Sequence, residues 1–302
     1  MYKIIALDMD ETLLQPNKTI SAEDRDALIK AQEMGIYVVL ATGRPIFGIR
    51  KYIDELQIPD KGYAVCFNGA EVTTIDTKEL IYNEKLNGDD LHYLAKLAKK
   101  LNVNMHGFDK NGCFSEKMSK FTNLEITLNH IDLNYVKYDD FKPDHEIIKI
   151  MYVDEPEYLD SVIKKFPKEI YDRFNIVKSA PFFLEFLKPT ADKWYAIEAL
   201  AKHLGIKNEE IMTFGDEKND YLMIKNAGLG IAMGNAIDEV KKVAKFVTVK
   251  NYENGIAYAL NKFIFNKWKK AFQSLFILLF LMMIDQLGNP FVYQTFLQVL
   301  LL

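Results

Sequence analysis

Ile4-Ile5-Ala6-Leu7-Asp8-Met9-Asp10-Glu11-Thr12, near the start of the chain, joins a run of branched apolar residues to two aspartates one residue apart. An apolar run that ends abruptly in carboxylates reads as a buried parallel strand. Its carboxyl end opens onto a site, because ligands in open α/β sheets collect at that edge. Two carboxylates so close repel each other unless a hard divalent metal or one shared proton lies with them.

Outward from this stretch, strand and helix alternate. Ser21, with Asp24 three residues on, caps a predicted helix that runs to Glu33 and stops at Gly35. The apolar run Tyr37-Val38-Val39-Leu40-Ala41 is a second buried strand and ends in Thr42-Gly43-Arg44-Pro45, where Pro45 opens a helix extending to about Leu56. A third strand over 64–67 ends in Asn68-Gly69-Ala70 and leads to a hairpin over 71–82. Short links between alternating β and α elements predict a doubly wound parallel sheet of the α/β class.

The texture changes between about 83 and 189. Long amphipathic segments at 89–101 and 156–166 alternate with candidate strands at 104–108, 147–153 and 182–187, the pattern of an inserted α+β unit. The earlier rhythm then resumes, with a helix over 192–204, a strand Ile211-Met212-Thr213-Phe214 and the loop Gly215-Asp216-Glu217-Lys218-Asn219-Asp220. A helix ending near Gly228, a strand over 229–233, Gly234-Asn235-Ala236 and a helix over 255–265 follow. The organisation read from these shifts is a core of residues 1–82 and 190–266, an inserted domain of residues 83–189 and an atypical apolar tail of residues 267–302.

At 302 residues the chain can bury a substantial core. Its formal net charge of −4 and lack of a basic stripe argue against a nucleic-acid partner. Cys66 and Cys113 have neither metal-ligand spacing nor the density of a disulfide scaffold, which fits buried thiols in a reducing cytoplasm. No secretory leader precedes the first strand. Residues 275–284 are wholly apolar, Asp285 to Pro290 interrupt them, and a second apolar stretch fills 291–302 behind Lys267, Lys269 and Lys270. A packed appendage, a membrane-associating tail and a translation artefact all fit that pattern.

The polar residues cluster by topology. Asp8 and Asp10 follow the first strand, Thr42 the second, Asn68 the third, and Asp216, Asn219 and Asp220 a later one, so all belong to one sheet edge. Carboxylates gathered there without histidine or cysteine partners indicate hard oxygen ligation, for which magnesium is better suited than zinc. His92, His106, His130, His145 and His203 lack ligand spacing.

The strings Asp8-Met9-Asp10-Glu11-Thr12-Leu13-Leu14, Ala41-Thr42-Gly43-Arg44 and Gly215-Asp216-Glu217-Lys218-Asn219-Asp220 resemble motifs of the haloacid dehalogenase-like phosphatases. More closely they resemble the Cof-type branch, whose large cap is inserted between the second and third motifs. Asn68-Gly69-Ala70 and Ala232-Met233-Gly234-Asn235-Ala236 match that branch as well. The resemblance spans residues 1 to about 266, and its ordered motifs at compatible strand ends are specific as a set.

The resemblance implies a Rossmann-like core, an α+β cap, and magnesium-dependent hydrolysis of a small phosphorylated metabolite, with a sugar phosphate as first choice. Asp8 is then the nucleophile, and Asp10 the acid that protonates the leaving group and the base that deprotonates water. Asp8, Asp216 and the Asp10 backbone carbonyl hold magnesium. Thr42, the Gly43 amide, Lys193 and Asn219 bind phosphoryl oxygens, and Asp220 orients Lys193 or the metal's hydration shell. Asn68 joins the substrate-binding set, while Arg44 either touches substrate or pairs with a neighbouring carboxylate.

Two positions depart from the pattern. Glu11 stands where relatives commonly carry glycine, so its side chain has to point away from the phosphate. Lys193 is followed by Trp194 where relatives often show glycine, and Lys188 is its nearby rival. Phosphosugar mutase activity, or a non-catalytic or membrane-tethered role in binding phosphometabolites, is the alternative to hydrolysis. Oligomeric state is left open.

Overall fold

A computed structural model describes residues 2–77 and 79–266. The tail at 267–302, with the three readings given to it, lies outside the described residues. Two compact units divide the chain, Met1–Ile256 and Ala257–Leu302. The described part of the second holds the end of the helix Gly255–Leu260 and a π-helical turn, Asn261–Phe265. Among the described residues no helix is long and apolar enough to cross a membrane.

The first unit contains two sheets. Strands β1 (Ile4–Leu7), β2 (Tyr37–Ala41), β3 (Tyr63–Cys66), β4 (Glu71–Thr74) and β5 (Leu80–Asn83) precede the insertion. Within it come β6 (Asn104–Asp109), β7 (Gly112–Ser115), β8 (Leu133–Tyr135), β9 (Lys149–Val153), β10 (Asn175–Ala180) and β11 (Phe183–Leu187). Strands β12 (Ile211–Gly215), β13 (Leu229–Ala232) and β14 (Phe246–Val247) follow it. The larger sheet has the order β14-β13-β12-β1-β2-β3-β4-β5 and the smaller β10-β11-β9-β6-β7-β8.

From β14 to β3 every pairing in the larger sheet is parallel, and β4 and β5 add an antiparallel hairpin. The doubly wound α/β expectation therefore holds. No side chain of β1 is exposed, as a strand covered on both faces requires. Leu7 is in register with both Leu40 and Phe214, which brings the residues after β1, β2 and β12 to one edge. Ser21 caps the helix Ala22–Glu33 by accepting the Asp24 N–H at 3.1 Å, as its position predicts. Pro45 precedes a 3₁₀ turn, Ile46–Ile49, before the helix Arg50–Glu55 begins. A preset φ suits either start.

The smaller sheet packs one face on the helices Gly88–Leu101 and Pro156–Ile163, with Leu91, Leu94, Ile150, Tyr152, Leu159 and Phe186 in its core. Each such side chain contributes about 1.5–3 kcal/mol by leaving water. Strands β7, β8 and β10 are short or partly exposed and escape the hydrophobic periodicity. Cys66 and Cys113 are both buried thiols.

Candidate active site

The edge set up by the parallel register carries a compact group of charges. Asp8 follows β1, donates its N–H to the Phe214 carbonyl at 3.0 Å, and is 8% exposed. Carboxylate oxygens of Asp8, Asp216 and Asp220 lie within 4.8 Å of one another. Burial, then the Asp220 and Asp10 charges, push the Asp8 carboxyl up to about 7 against the pull of Lys193. Burial, then Asp8 and Asp220, likewise raise Asp216 to about 8. Among the described residues one ammonium, that of Lys193, bonds within this group of three carboxylates. A hard cation fits this all-oxygen donor set, and among the described residues no nitrogen or sulfur ligand joins it.

Lys193 has no exposed surface and donates to Asp8 Oδ1 at 2.5 Å and Asp220 Oδ1 at 2.7 Å. It begins the helix Lys193–His203, whose N-cap Asp192 accepts the Trp194 N–H at 2.8 Å. Burial disfavours its charge, but Asp220 and Asp8 outweigh that and the net shift is upward. Lys188, its rival by spacing, is exposed. Gly69 admits this arrangement: its φ is +93°, and a Cβ there would lie 2.6 Å from the Lys193 nitrogen and against the Asp192 carbonyl. The other Asp220 oxygen accepts the N–H groups of Asp216 (2.9 Å) and Glu217 (3.1 Å), so Asp220 ties the loop after β12 to Lys193.

Asp10 stands slightly apart and is partly exposed. Arg44 grips both its oxygens, with Nη2 at 2.7 and 2.9 Å and Nε at 3.1 Å, and Lys18 lies 3.1 Å away. Burial acts to raise its pKa, yet Arg44 and then Lys18 hold it below the ordinary carboxylate range. Of the two readings open for Arg44, the structure shows the ion pair. Glu11 adopts φ +61° and directs its side chain to Lys18 at 3.5 Å and Asn251 at 3.4 Å, away from the carboxylate cluster. Asn235 steadies that turn by donating to the Glu11 carbonyl at 2.7 Å.

Thr42 is buried, and its hydroxyl accepts the Arg44 N–H at 3.2 Å. Asn68 sits at φ +54° after β3; its Nδ2 donates to Glu185 at 3.0 Å and its Oδ1 accepts from Asn219 Nδ2 at 3.1 Å. The Gly43 carbonyl accepts from Lys149 at 3.5 Å. All ten candidate residues thus occupy the loops at one sheet edge or the helix start beside it.

Sequence reasoning passed over several neighbours. Thr12, fully buried, donates to Asp216 Oδ1 at 2.6 Å; it lay inside a quoted motif, so proximity was a usable signal. Lys18 and Gly69 also had local hints, a charge seven residues from Glu11 and a glycine after Asn68. Lys149 and Glu185 belong to the smaller sheet and carried none. His106 has no exposed surface either, but it stands within the smaller sheet, 3.2 Å from Thr122 Oγ1. Burial, then Lys149, lowers its pKa to about 3.

The chain is similar to known proteins in sequence and fold. The family model for haloacid dehalogenase-like hydrolases matches residues 5–260. YxeH of Bacillus subtilis (strain 168), whose name includes the word phosphatase, is 41% identical over 270 residues, covering 88% of this chain and all of that one. The 5-amino-6-(5-phospho-D-ribitylamino)uracil phosphatase YcsE of the same organism is 31% identical, with 87% of this chain and 96% of its own covered. Among solved structures, a haloacid dehalogenase-like hydrolase from Bacteroides thetaiotaomicron superposes with a TM-score of 0.76 at 32% identity, covering 87% of this chain and 99% of that one. The subclass IIB sugar phosphatase BT4131 gives 0.73 at 25% identity, covering 86% and 98%. Sequence, fold and the buried carboxylates after β1 and β12 agree: the chain is a hydrolase and belongs to the haloacid dehalogenase-like family.

Proposed function

We propose that the protein hydrolyses a small phosphomonoester through an aspartyl-phosphate at Asp8. The observation that carries this reading is the buried Asp8 carboxylate, held by Lys193 at 2.5 Å beside Asp216 and Asp220. An Asp8 oxygen attacks phosphorus; the new O–P bond forms as the bond to the leaving oxygen breaks, and Asp10 supplies that oxygen's proton. Water then attacks the acyl phosphate, gives its proton to Asp10 and releases inorganic phosphate with Asp8 restored.

Lys193, Thr42 and the Gly43 N–H bind the phosphoryl oxygens, where positioning and charge stabilisation do most of the work. Asp8, Asp216 and the Asp10 carbonyl would hold magnesium, which supplies positive charge to the phosphoryl group and to the mutually repelling carboxylates. Both oxygens of Asp220 are engaged, so it positions Lys193 instead of ligating. Arg44 and Lys18 keep Asp10 ionised here, the form the water step needs. The acid step requires Arg44 to turn toward substrate.

The insertion, residues 83–189, serves as the cap that covers the leaving group and excludes water. The ribityl phosphate in the name of YcsE and the word sugar in that of BT4131 support a polyhydroxylated substrate. The phosphatase names of these relatives favour hydrolysis over the mutase and non-catalytic readings. A panel of sugar and polyol phosphates with magnesium, assayed for phosphate release, tests the proposal. Asp8→Asn should abolish release from every substrate, and release that survives it would overturn the mechanism.

A further inference from the structure

Side chains alternate along β9 and β11, and the two faces differ sharply. Ile150, Tyr152, Leu184 and Phe186 enter the apolar core of the smaller sheet. Lys149, Met151 and Glu185 take the opposite face, in register with His106 and Phe108 of β6. Lys149 is 1% and Glu185 2% exposed, yet the proposed chemistry uses neither. Burial of two such ions is costly unless hydrogen bonds offset it.

The offsetting partners include loops of the larger sheet. Glu185 Oε1 accepts from Lys149 Nζ at 3.2 Å and from Ser179 Oγ at 2.6 Å, while its Oε2 accepts from Asn68 Nδ2 at 3.0 Å. Lys149 also lies 3.7 Å from Glu125 and donates to the Gly43 carbonyl at 3.5 Å. Asn68 passes the contact on, since its Oδ1 accepts from Asn219 at 3.1 Å. One polar chain, Lys149 to Glu185 to Asn68 to Asn219, therefore joins the inserted sheet to the loops after β3 and β12. Its last member is one residue from Asp220, the partner of Lys193.

We propose that Glu185 is a positioning residue: by holding Asn68 it sets the Asn68–Asn219 pair beside the carboxylate cluster, so that seating the inserted sheet completes the anion-binding end of the site. Lys149, donating to Glu185 Oε1 at 3.2 Å, holds that carboxylate in place. The inference rests on the phosphatase reading for the identity of the anion.

A double-mutant cycle tests it. Glu185→Ala leaves Lys149 facing Glu125, a balanced pair, and strands no buried charge. Asn68→Gly removes the amide at a positive φ that glycine accepts. Turnover of p-nitrophenyl phosphate with magnesium and affinity for orthovanadate are both measured well below the melting temperature. Glu185→Ala should lower kcat/KM and orthovanadate affinity about tenfold, the weight of one charge-assisted hydrogen bond. In the Asn68→Gly background the same substitution should change either quantity less than about twofold, because the group it acts through is gone. Glu185→Gln keeps an amide oxygen for Asn68 and should recover most of the loss.

Effects that multiply independently would overturn the proposal, as would a lowered melting temperature with unchanged orthovanadate affinity. Should the unsubstituted protein hydrolyse no phosphomonoester, the phosphatase reading alone fails and the cycle is still read in orthovanadate affinity. No binding of orthovanadate removes the proposal too.

Discussion

Replacing Lys193 with methionine tests whether one ammonium organises the site. The substitution keeps an unbranched side chain of similar volume but leaves Asp8 and Asp220 facing each other without their shared cation, in a place where Lys193 has no exposed surface. Two charge-assisted hydrogen bonds, at 2.5 and 2.7 Å, are lost. Each is worth about 1.5–3 kcal/mol. Breaking a buried ion pair from one side costs about 3–5 kcal/mol. For a unit of this size that lowers the melting temperature by about 6–20 °C.

The sign against pH follows from the upward shift of Lys193. Its stabilisation is complete below the ordinary lysine value of 10.5 and is lost only as pH rises through the elevated one, so neutral buffer reads the full effect. Asp220→Asn added to Lys193→Met should recover part of the loss, because an amide oxygen can still accept from the loop N–H groups. Urea unfolding gives the stability, and hydrolysis of the best substrate should fall by about 10²–10³ if Lys193 makes the proposed phosphoryl contact. A Lys193→Met protein that unfolds within about 1 kcal/mol of the original and hydrolyses at a similar rate would refute the assignment.

Gly69→Ala should cost about 2–4 kcal/mol in urea unfolding and cut hydrolysis, since its Cβ would meet the backbone at Asp192 and Lys193. Gly35→Ala, at φ +80° with open space around it, should cost only about 1 kcal/mol and leave the rate intact, which separates strain from displacement. His106, lowered to about 3 by burial, should make the protein acid-sensitive. The unfolded chain takes up a proton below about pH 6.5 that the folded one refuses, so stability is complete above that value and falls as pH drops toward 3. The loss is about 2 kcal/mol by pH 5. Thermal melts at pH 5 and 7.5 should show a smaller difference in His106→Gln, and an equal difference would remove His106 as the cause.

The legible parts of the molecule were the local ones. β1, β2 and β12 are short apolar runs that end in polar residues, and their parallel pairing follows from the alternation with helices. The Ser21 cap needed only its own neighbour at Asp24. Other features were hidden because their causes are distant in sequence. Asn68 looked like a phosphate contact, yet its amide lies between Asn219, 151 residues away, and Glu185, 117 residues away. Pro45 could start either kind of helix, and a 3₁₀ turn, Ile46–Ile49, follows it. β14 has two residues, too few for any periodicity to register.

By itself the sequence determined the class of fold and the sheet edge to which the candidate carboxylates belong. Those follow from apolar runs, caps and motif order, which act over a few residues at a time. The tertiary structure decided which charges compensate one another. Lys193 prevailed over Lys188 because Gly69 lets its helix start approach and bury the ammonium against Asp8 and Asp220. Arg44 was assigned to Asp10 and Glu185 to Asn68 in the same way. Buried charges must find partners wherever the fold brings them within hydrogen-bond reach, and that proximity is set by sheet register and strand order, not by spacing along the chain.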